Sequence, residues 1–253
     1  MLATATTKPR VTRAPKGERT RESILRVAVN LASVEGLQGL TIGRLADELK
    51  MSKSGLFAHF GSKEDLQLAT IGMAAEIFTE HIIRPALELP QGVPRMWQLF
   101  SNFLDYVEGK VFQGGCFFAA ASFEYDSRPG PVRDAIVRSM KGWMGVLVRS
   151  VEGAVQAKHL KESVDAQQFA FEIYSLTIGA HSGFQLLDNK QALSQVRITI
   201  HDRILSLATP RCPAINLNPA KPDLSKVLFS KVDPTKIKRA KTKPAKNLSS
   251  KIK

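Results

Sequence analysis

The sequence predicts an all-α protein of about nine helices, and three observations carry that reading. Apolar residues recur at helical spacing through most of the chain between residues 22 and 210. Ser, Thr, Gly and Pro stand where such stretches should start or stop. No alternating β-branched run of useful length interrupts them. Taken in order, Ile24, Ala28, Leu31 and Ala32 line one face of a helix from Arg19 to Glu35, stopped by Gly36. Ile42, Leu45, Ala46 and Leu49 line a second helix, with Thr41 as its N-cap. Ser52 caps a short third helix whose Leu56 and Phe60 share a face, and Gly61 ends it. Ser62 opens a long helix with Glu64 and Asp65 in the first turn, where the macrodipole favours acids. That helix is expected to end at about Arg84, before Pro85. Further helices are predicted over about 94–109, 115–126, 131–158, 164–188 and 191–208, separated by Gly114-Gly115, Pro129-Gly130-Pro131, the stretch 161–163 and Asp188-Asn189.

The chain has 253 residues, is 43% apolar and carries a formal net charge of +13. The charge sits at the ends: residues 1–21 are net +5 and residues 211–253 net +10, around a body of net −2. The tail mixes Lys with Pro, Ala and Ser and has too few large apolar groups to offset its ordering entropy, so disorder is expected there. Basic arms of this kind lie along polyanions or simply keep a protein in solution. Two cysteines, Cys116 and Cys212, imply no disulfide framework and suit a reducing, cytoplasmic setting. The longest apolar run, 116–121, is far too short to span a bilayer, and residues 1–17 lack the apolar stretch of a signal peptide.

Residues 41–60, TIGRLADELKMSKSGLFAHF, place two short amphipathic helices around a three-residue turn. This is helix-turn-helix spacing, in which the first helix braces and the second enters the major groove; a plain helical hairpin would share the pattern. Lys53, Ser54 and Gly55 occupy the first turn of the second helix, the part that reaches base edges in this motif. Gly55 costs helix propensity, about 1 kcal/mol against Ala, which suits a close approach to another surface.

The stretch from Arg19 to about Leu68, through LASVEGLQGLTI, RLADELKMSKSGLFAHFGSKEDL and on, resembles the N-terminal domain of the tetracycline-repressor (TetR) family of bacterial transcription regulators. The resemblance covers about the first third of the chain. It implies a homodimer in which a three-helix DNA-binding head sits on a helical C-terminal domain that holds a small-molecule pocket and the dimer interface. It divides the chain into an arm (1–18), a head (19–65), a ligand-binding and dimerisation domain (66–209) and a tail (210–253). Carried over by position, Thr41 touches a phosphate and Arg44 the backbone or a base. Ser52, Lys53, Ser54 and Gly55 face the groove, with Lys53 able to donate to guanine. His59, Ser62 and Lys63 make positioning contacts with phosphates. Phe57 departs from the family, which most often has tyrosine there; it is left open between a thymine methyl, the sugar edge and no contact. Leu45, Leu56 and Phe60 belong to the core of the head.

Beyond residue 85 the chain is generic amphipathic helix, and GGCFFAAASFEYDSRPGPVRDAI resembles the C-terminal domain of one subgroup of the family. Trp97, Phe100, Cys116, Phe117, Phe118, Phe123, Trp143, Phe169, Tyr174, His181 and Phe184 are pocket candidates, each also suited to ordinary core or interface. Dimerisation is expected through the last two helices, by Phe169, Ile173, Leu176 and Ile178 with Ile200, Ile204 and Leu207. Enzyme readings find little support. The five histidines, His59, His81, His159, His181 and His201, pair at no metal-ligand spacing, and no phosphate loop or dinucleotide fingerprint occurs. No metal or cofactor is expected. The sequence thus points to a cytoplasmic, nucleoid-associated regulator that binds double-stranded operator DNA as a homodimer and answers to an unknown small molecule. The alternative is a sequence-indifferent architectural protein driven by the basic tail.

Overall fold

The computed structural model describes residues 16–217 and is all-helical over them. The basic arm up to residue 15 and the tail from residue 218 lie outside the described residues. The head comprises α1 (Lys16–Glu35), α2 (Ile42–Leu49) and α3 (Lys53–Phe60), followed by the long α4 (Lys63–Phe78). A π-helical turn (Thr79–Ile83) leads directly into α5 (Arg84–Leu87). The body continues with α6 (Val93–Glu108), α7 (Phe117–Tyr125), α8 (Pro131–Gln156), α9 (Ala166–Gln185) and α10 (Ala192–Leu207). With the unbroken stretch 63–87 taken as one helix, the described residues hold nine.

The caps read from the sequence act as expected. The hydroxyls of Thr41, Ser52 and Ser62 accept from the backbone N–H groups of Arg44, Gly55 and Asp65. Pro85, however, does not stop the long helix. Its ring would crowd the carbonyl four residues back, and the wider π turn just before it loosens the coil so that the helix continues to Leu87.

Ile24, Leu45, Leu56 and Leu66 are fully buried and knit the head onto α4, while Phe100, Tyr106, Phe112 and Phe117 fill the body. A buried ion pair, Arg197 to Asp105 at 3.0 Å, ties α10 to α6. The first residues of the expected tail are packed rather than free. Residues 210–217 return across the body, where Cys212 and Ile215 pack against the core and the Trp97 indole donates to the Asn216 carbonyl at 2.8 Å. The apolar stripes expected at a dimer interface are mostly internal: Phe169, Ile173, Ile200 and Ile204 are buried between α9, α10 and the rest of the chain. Of the expected stripe, Leu176 is exposed; beside it the faces that α9 and α10 turn outward carry Phe171, Ile198 and Leu205, with Leu186 and Leu187 just beyond α9.

Candidate functional site

The head presents the outer face of α3. Leu56 and Phe60 anchor that helix in the core, which turns Lys53, Ser54 and Phe57 outward; the Phe57 ring is 57% exposed. Phe57 is therefore not part of the head's core, and its ring is free to meet another surface. A Cβ on Gly55 would meet nothing but the Ser52 hydroxyl, at 3.1 Å, so the backbone of the first turn is open on its outer side. Ser54 donates to the Ser52 hydroxyl at 3.4 Å. His59 is half-buried, its ring tilted against Phe60 with centroids 6.2 Å apart.

Three of the predicted contacts already have partners within the chain. The Arg44 guanidinium donates to both carboxylate oxygens of Glu35 at 2.6–3.0 Å and to Glu48 at 3.0 Å. These hydrogen bonds, Glu35 first, hold it protonated beyond its ordinary range. The Lys63 ammonium donates to the Gln38 carbonyl at 2.7 Å. The Ser62 hydroxyl, besides capping α4, donates to Asp65 at 2.6 Å. Arg44 and Lys63 thus brace the head in the DNA-free chain, and a phosphate would have to compete for them.

The second region is a partly open cavity of about 260 Å³ lined by the end of α4, the π turn, α6, α7, α8 and α9. Of the expected residues, Cys116, Trp143, Tyr174 and Phe118 line it. The others do not. Trp97 and Phe100 pack against each other elsewhere in the core with their rings tilted, and Trp97 also meets His201 edge-on. Phe117, Phe169 and Phe184 are buried core outside the cavity, and Phe123 points to solvent at 70% exposure. His181 accepts the Cys116 N–H at 3.0 Å through Nε2, so it holds the entry to α7 rather than the cavity wall. Burial lowers its pKa and keeps the ring neutral, as that bond requires. Burial pushes the Cys116 thiol up to about 11, the opposite of a reactive thiolate. Among the described residues no cluster of three or more His, Cys, Asp or Glu could hold a metal ion. No described helix is long and apolar enough to cross a membrane.

Sequence reasoning missed the join between these regions. The Glu124 carboxylate, at the end of α7, accepts the backbone N–H groups of Leu37 and Gln38 in the α1–α2 turn, both at 2.7 Å. Gly36, at φ +79°, makes room: a Cβ there would sit 3.2 Å from that carboxylate. Gln67 of α4 donates to the Leu37 carbonyl at 2.7 Å and to the Tyr125 hydroxyl at 3.1 Å. The loop before α7 joins α1 in the same way, by Gln113 N–H to Asn30 and Gly114 N–H to Ser33. At Gly114 a Cβ would lie 1.8 Å from the Ser33 carbonyl oxygen, so only glycine fits. Helix α7 therefore walls the cavity with Phe118 and Ala119 and grips the head with Glu124 and Tyr125.

Comparison with known proteins agrees with this architecture. The model of bacterial regulatory proteins of the tetR family matches residues 24–70, and that of the tetracyclin repressor-like C-terminal domain matches residues 92–200. The HTH-type transcriptional regulator TcmR of Streptomyces glaucescens is 28% identical over 143 residues, which are 54% of this chain and 62% of TcmR. The HTH-type transcriptional repressor NicS of Pseudomonas putida is 29% identical over 94 residues, 37% of this chain and 44% of NicS. The matches thus span about three fifths and under half of these relatives. Among solved structures, a TetR transcriptional regulator from Chloroflexus aurantiacus superposes with a TM-score of 0.71 at 24% identity, covering 76% of this chain and 98% of its own. A TetR-family regulator from Cytophaga hutchinsonii gives 0.69 at 20% identity, covering 79% and 100%. At these identities the structures speak for the fold.

Proposed function

The chain belongs to the tetracycline-repressor (TetR) family of transcription regulators, and we propose on that basis that it is a repressor that binds a palindromic operator as a homodimer and releases it when a small molecule occupies the cavity. The observation that carries this reading is the double duty of α7, which walls the cavity and holds the turn that positions the reading head. Lys53 and Ser54, with the open backbone at Gly55, supply base-edge contacts; Thr41, Ser52, His59, Ser62 and Lys63 set the register on phosphates; Phe57 offers an apolar face. The protein works in the cytoplasm at the nucleoid and has no catalytic role. Exposed Phe171, Ile198 and Leu205 on α9 and α10 support a dimer made through these helices.

In domain terms, residues 19–65 form the head and 66–209, with 210–217 packed on it, the sensing and dimerising body, and the basic segments at either end add affinity without reading sequence. Selection from random-sequence duplexes with the purified protein tests the function. A two-fold symmetric motif is expected, and recovery of unselected sequence would refute it. The twelve basic residues in 211–253 favour a second reading, an architectural protein indifferent to sequence. The two separate by competition, since only a repressor keeps its site against excess random DNA.

A further inference from the structure

The cavity wall contains no Asp, Glu, Lys, Arg or His. Most of it is apolar and aromatic: Phe78 meets Trp143 edge-on with centroids 5.0 Å apart and Phe118 edge-on at 6.0 Å, and Phe103, Met140 and Ile178 complete the lining. Polar atoms enter at five places, the hydroxyls of Thr79, Ser139, Tyr174 and Thr177 and the Cys116 sulfur. Two of these hydroxyls have already committed their single proton. Ser139 donates to the Ala135 carbonyl at 3.2 Å and Thr177 to the Tyr174 carbonyl at 2.7 Å. What they offer an occupant is lone pairs, not a proton.

A charged occupant would shed its hydration here and meet no opposite charge, which is strongly unfavourable. The charges nearest in kind belong to a neighbouring depression that shares Met140 and Tyr174 with the cavity but is lined by Asp126, Arg133 and Lys141. Size narrows the class further. An apolar cavity of about 150 Å³ takes one benzene ring, so about 260 Å³ suits a fused two-ring body or its alicyclic equivalent.

Resting on the reading of the cavity as the effector site, we propose that the effector is an uncharged, ring-based molecule carrying a hydroxyl that donates a hydrogen bond to Thr177 or Ser139, and that carboxylates and ammonium compounds are rejected. The fully protonated Cys116 thiol acts as a soft apolar wall and forms no bond with the ligand.

The test uses the full chain and three matched probes: 2-naphthol, 2-methoxynaphthalene and 2-naphthoate. Binding is read by calorimetry and by quenching of tryptophan emission in a Trp97→Phe background, where Trp143 is the one remaining indole, so that it does not depend on DNA. Expected is binding of 2-naphthol about tenfold or more tighter than 2-naphthoate, because no cation lines the cavity to offset the carboxylate's charge, and hydroxyls alone do not replace its hydration. The methoxy compound, lacking the donor, should bind several-fold more weakly than 2-naphthol, by roughly the net worth of one hydrogen bond. Thr177→Val combined with Ser139→Ala should erase the difference between naphthol and its ether without weakening the ether, and the two single variants show which hydroxyl accepts. Ala119→Leu, which fills the cavity from the α7 wall, should abolish binding of both. Gly142→Leu, where a new Cβ meets no atom within 4 Å, does the same from α8 without disturbing the packing. Binding of 2-naphthoate equal to or tighter than 2-naphthol, or no naphthol binding up to its solubility limit, overturns the proposal whatever the protein does with DNA. Naphthol binding as expected with operator occupancy unchanged leaves the ligand class standing and refutes the effector reading instead.

Discussion

Removing the Glu124 carboxylate should loosen the head from the body, by an amount the geometry sets. Its two oxygens each accept one backbone N–H at 2.7 Å, from Leu37 and Gln38, in a half-buried setting. A hydrogen bond to a charged group contributes about 1.5–3 kcal/mol net, and water reaches part of this turn, so each bond belongs at the low end. Glu124→Ala should therefore cost about 2–3 kcal/mol. Glu124→Gln keeps one accepting oxygen and turns an amide NH₂ toward the second N–H, so about 1–2 kcal/mol is expected. For a chain of this size the Ala variant should melt roughly 4–12 °C lower. Urea titration gives the free energy, and amide hydrogen exchange gives the location. Protection of the Leu37 and Gln38 amides should fall in both variants, while amides in α9 and α10 keep their protection. A double-mutant cycle with Gln67→Leu should show coupling, since Gln67 holds the carbonyl of the same turn. An Ala variant within about 0.5 kcal/mol of the parent, the scatter of ordinary surface substitutions, with the two amides equally protected, would refute the clasp.

Lys53→Ala should weaken operator binding by about 1–3 kcal/mol at unchanged melting temperature, while Arg44→Ala, whose guanidinium is held by Glu35 and Glu48, should affect binding less; filter binding or anisotropy showing the reverse order would contradict the bracing role. Phe57→Tyr should leave the melting temperature unchanged because the ring is exposed, and operator affinity should stay equal or rise; a lower melting point would mean the ring is packed. Burial holds His181 and His81 below their ordinary value of 6.5, so the unfolded chain takes up their protons first. Their contribution is complete above about pH 6.5 and is lost as pH falls from there toward the folded values. Melting temperature should drop on acidification, and His181→Gln should flatten the drop; an unaltered slope would count against it. Arg197→Met takes away the cation that faces the buried Asp105 carboxylate and should destabilise the chain, with part of the loss restored by adding Asp105→Leu; urea titration showing the single variant as stable as the parent would refute this.

What the sequence made legible follows from how local each signal is. Thr41, Ser52 and Ser62 sit next to the N–H groups they cap, so helix starts in the head could be read directly. Pro85 misled because the π turn that accommodates it has no local signature. Periodicity marks Phe117, Phe118 and Phe123 alike as apolar and cannot say that one fills the core, one faces a cavity and one faces water. Arg44 illustrates the same limit for charge. Nothing within one helical turn announces Glu35, nine residues away, and a surface cation reads equally well as a phosphate contact. Glu124 lies 87 and 86 residues from the amides it holds, and only the fold brings them together.

The strength of the grip on the head constrains how release could work. Besides Glu124, the head is tied to α7 and its preceding loop by Gln67 to Tyr125, Gln113 to Asn30 and Gly114 to Ser33. At about 1 kcal/mol for each neutral bond and more for the two charged ones, separating these surfaces would cost roughly 6 kcal/mol or more. A typical allosteric coupling is only about 1–3 kcal/mol, so an effector has too little differential affinity to pull the head off α7. Head and α7 must then move together as one body, and the change in angle has to be taken up where the chain between head and sensing domain is weakest. The π turn at Thr79–Ile83 fits that role. It sits in the one long helical connection, its ladder is already irregular, and Thr79 and Ile83 themselves line the cavity. A ligand touching that turn and the α7 wall at once would favour one bend of the helix over another, and would change the spacing of two heads in a dimer without breaking a single bond of the grip.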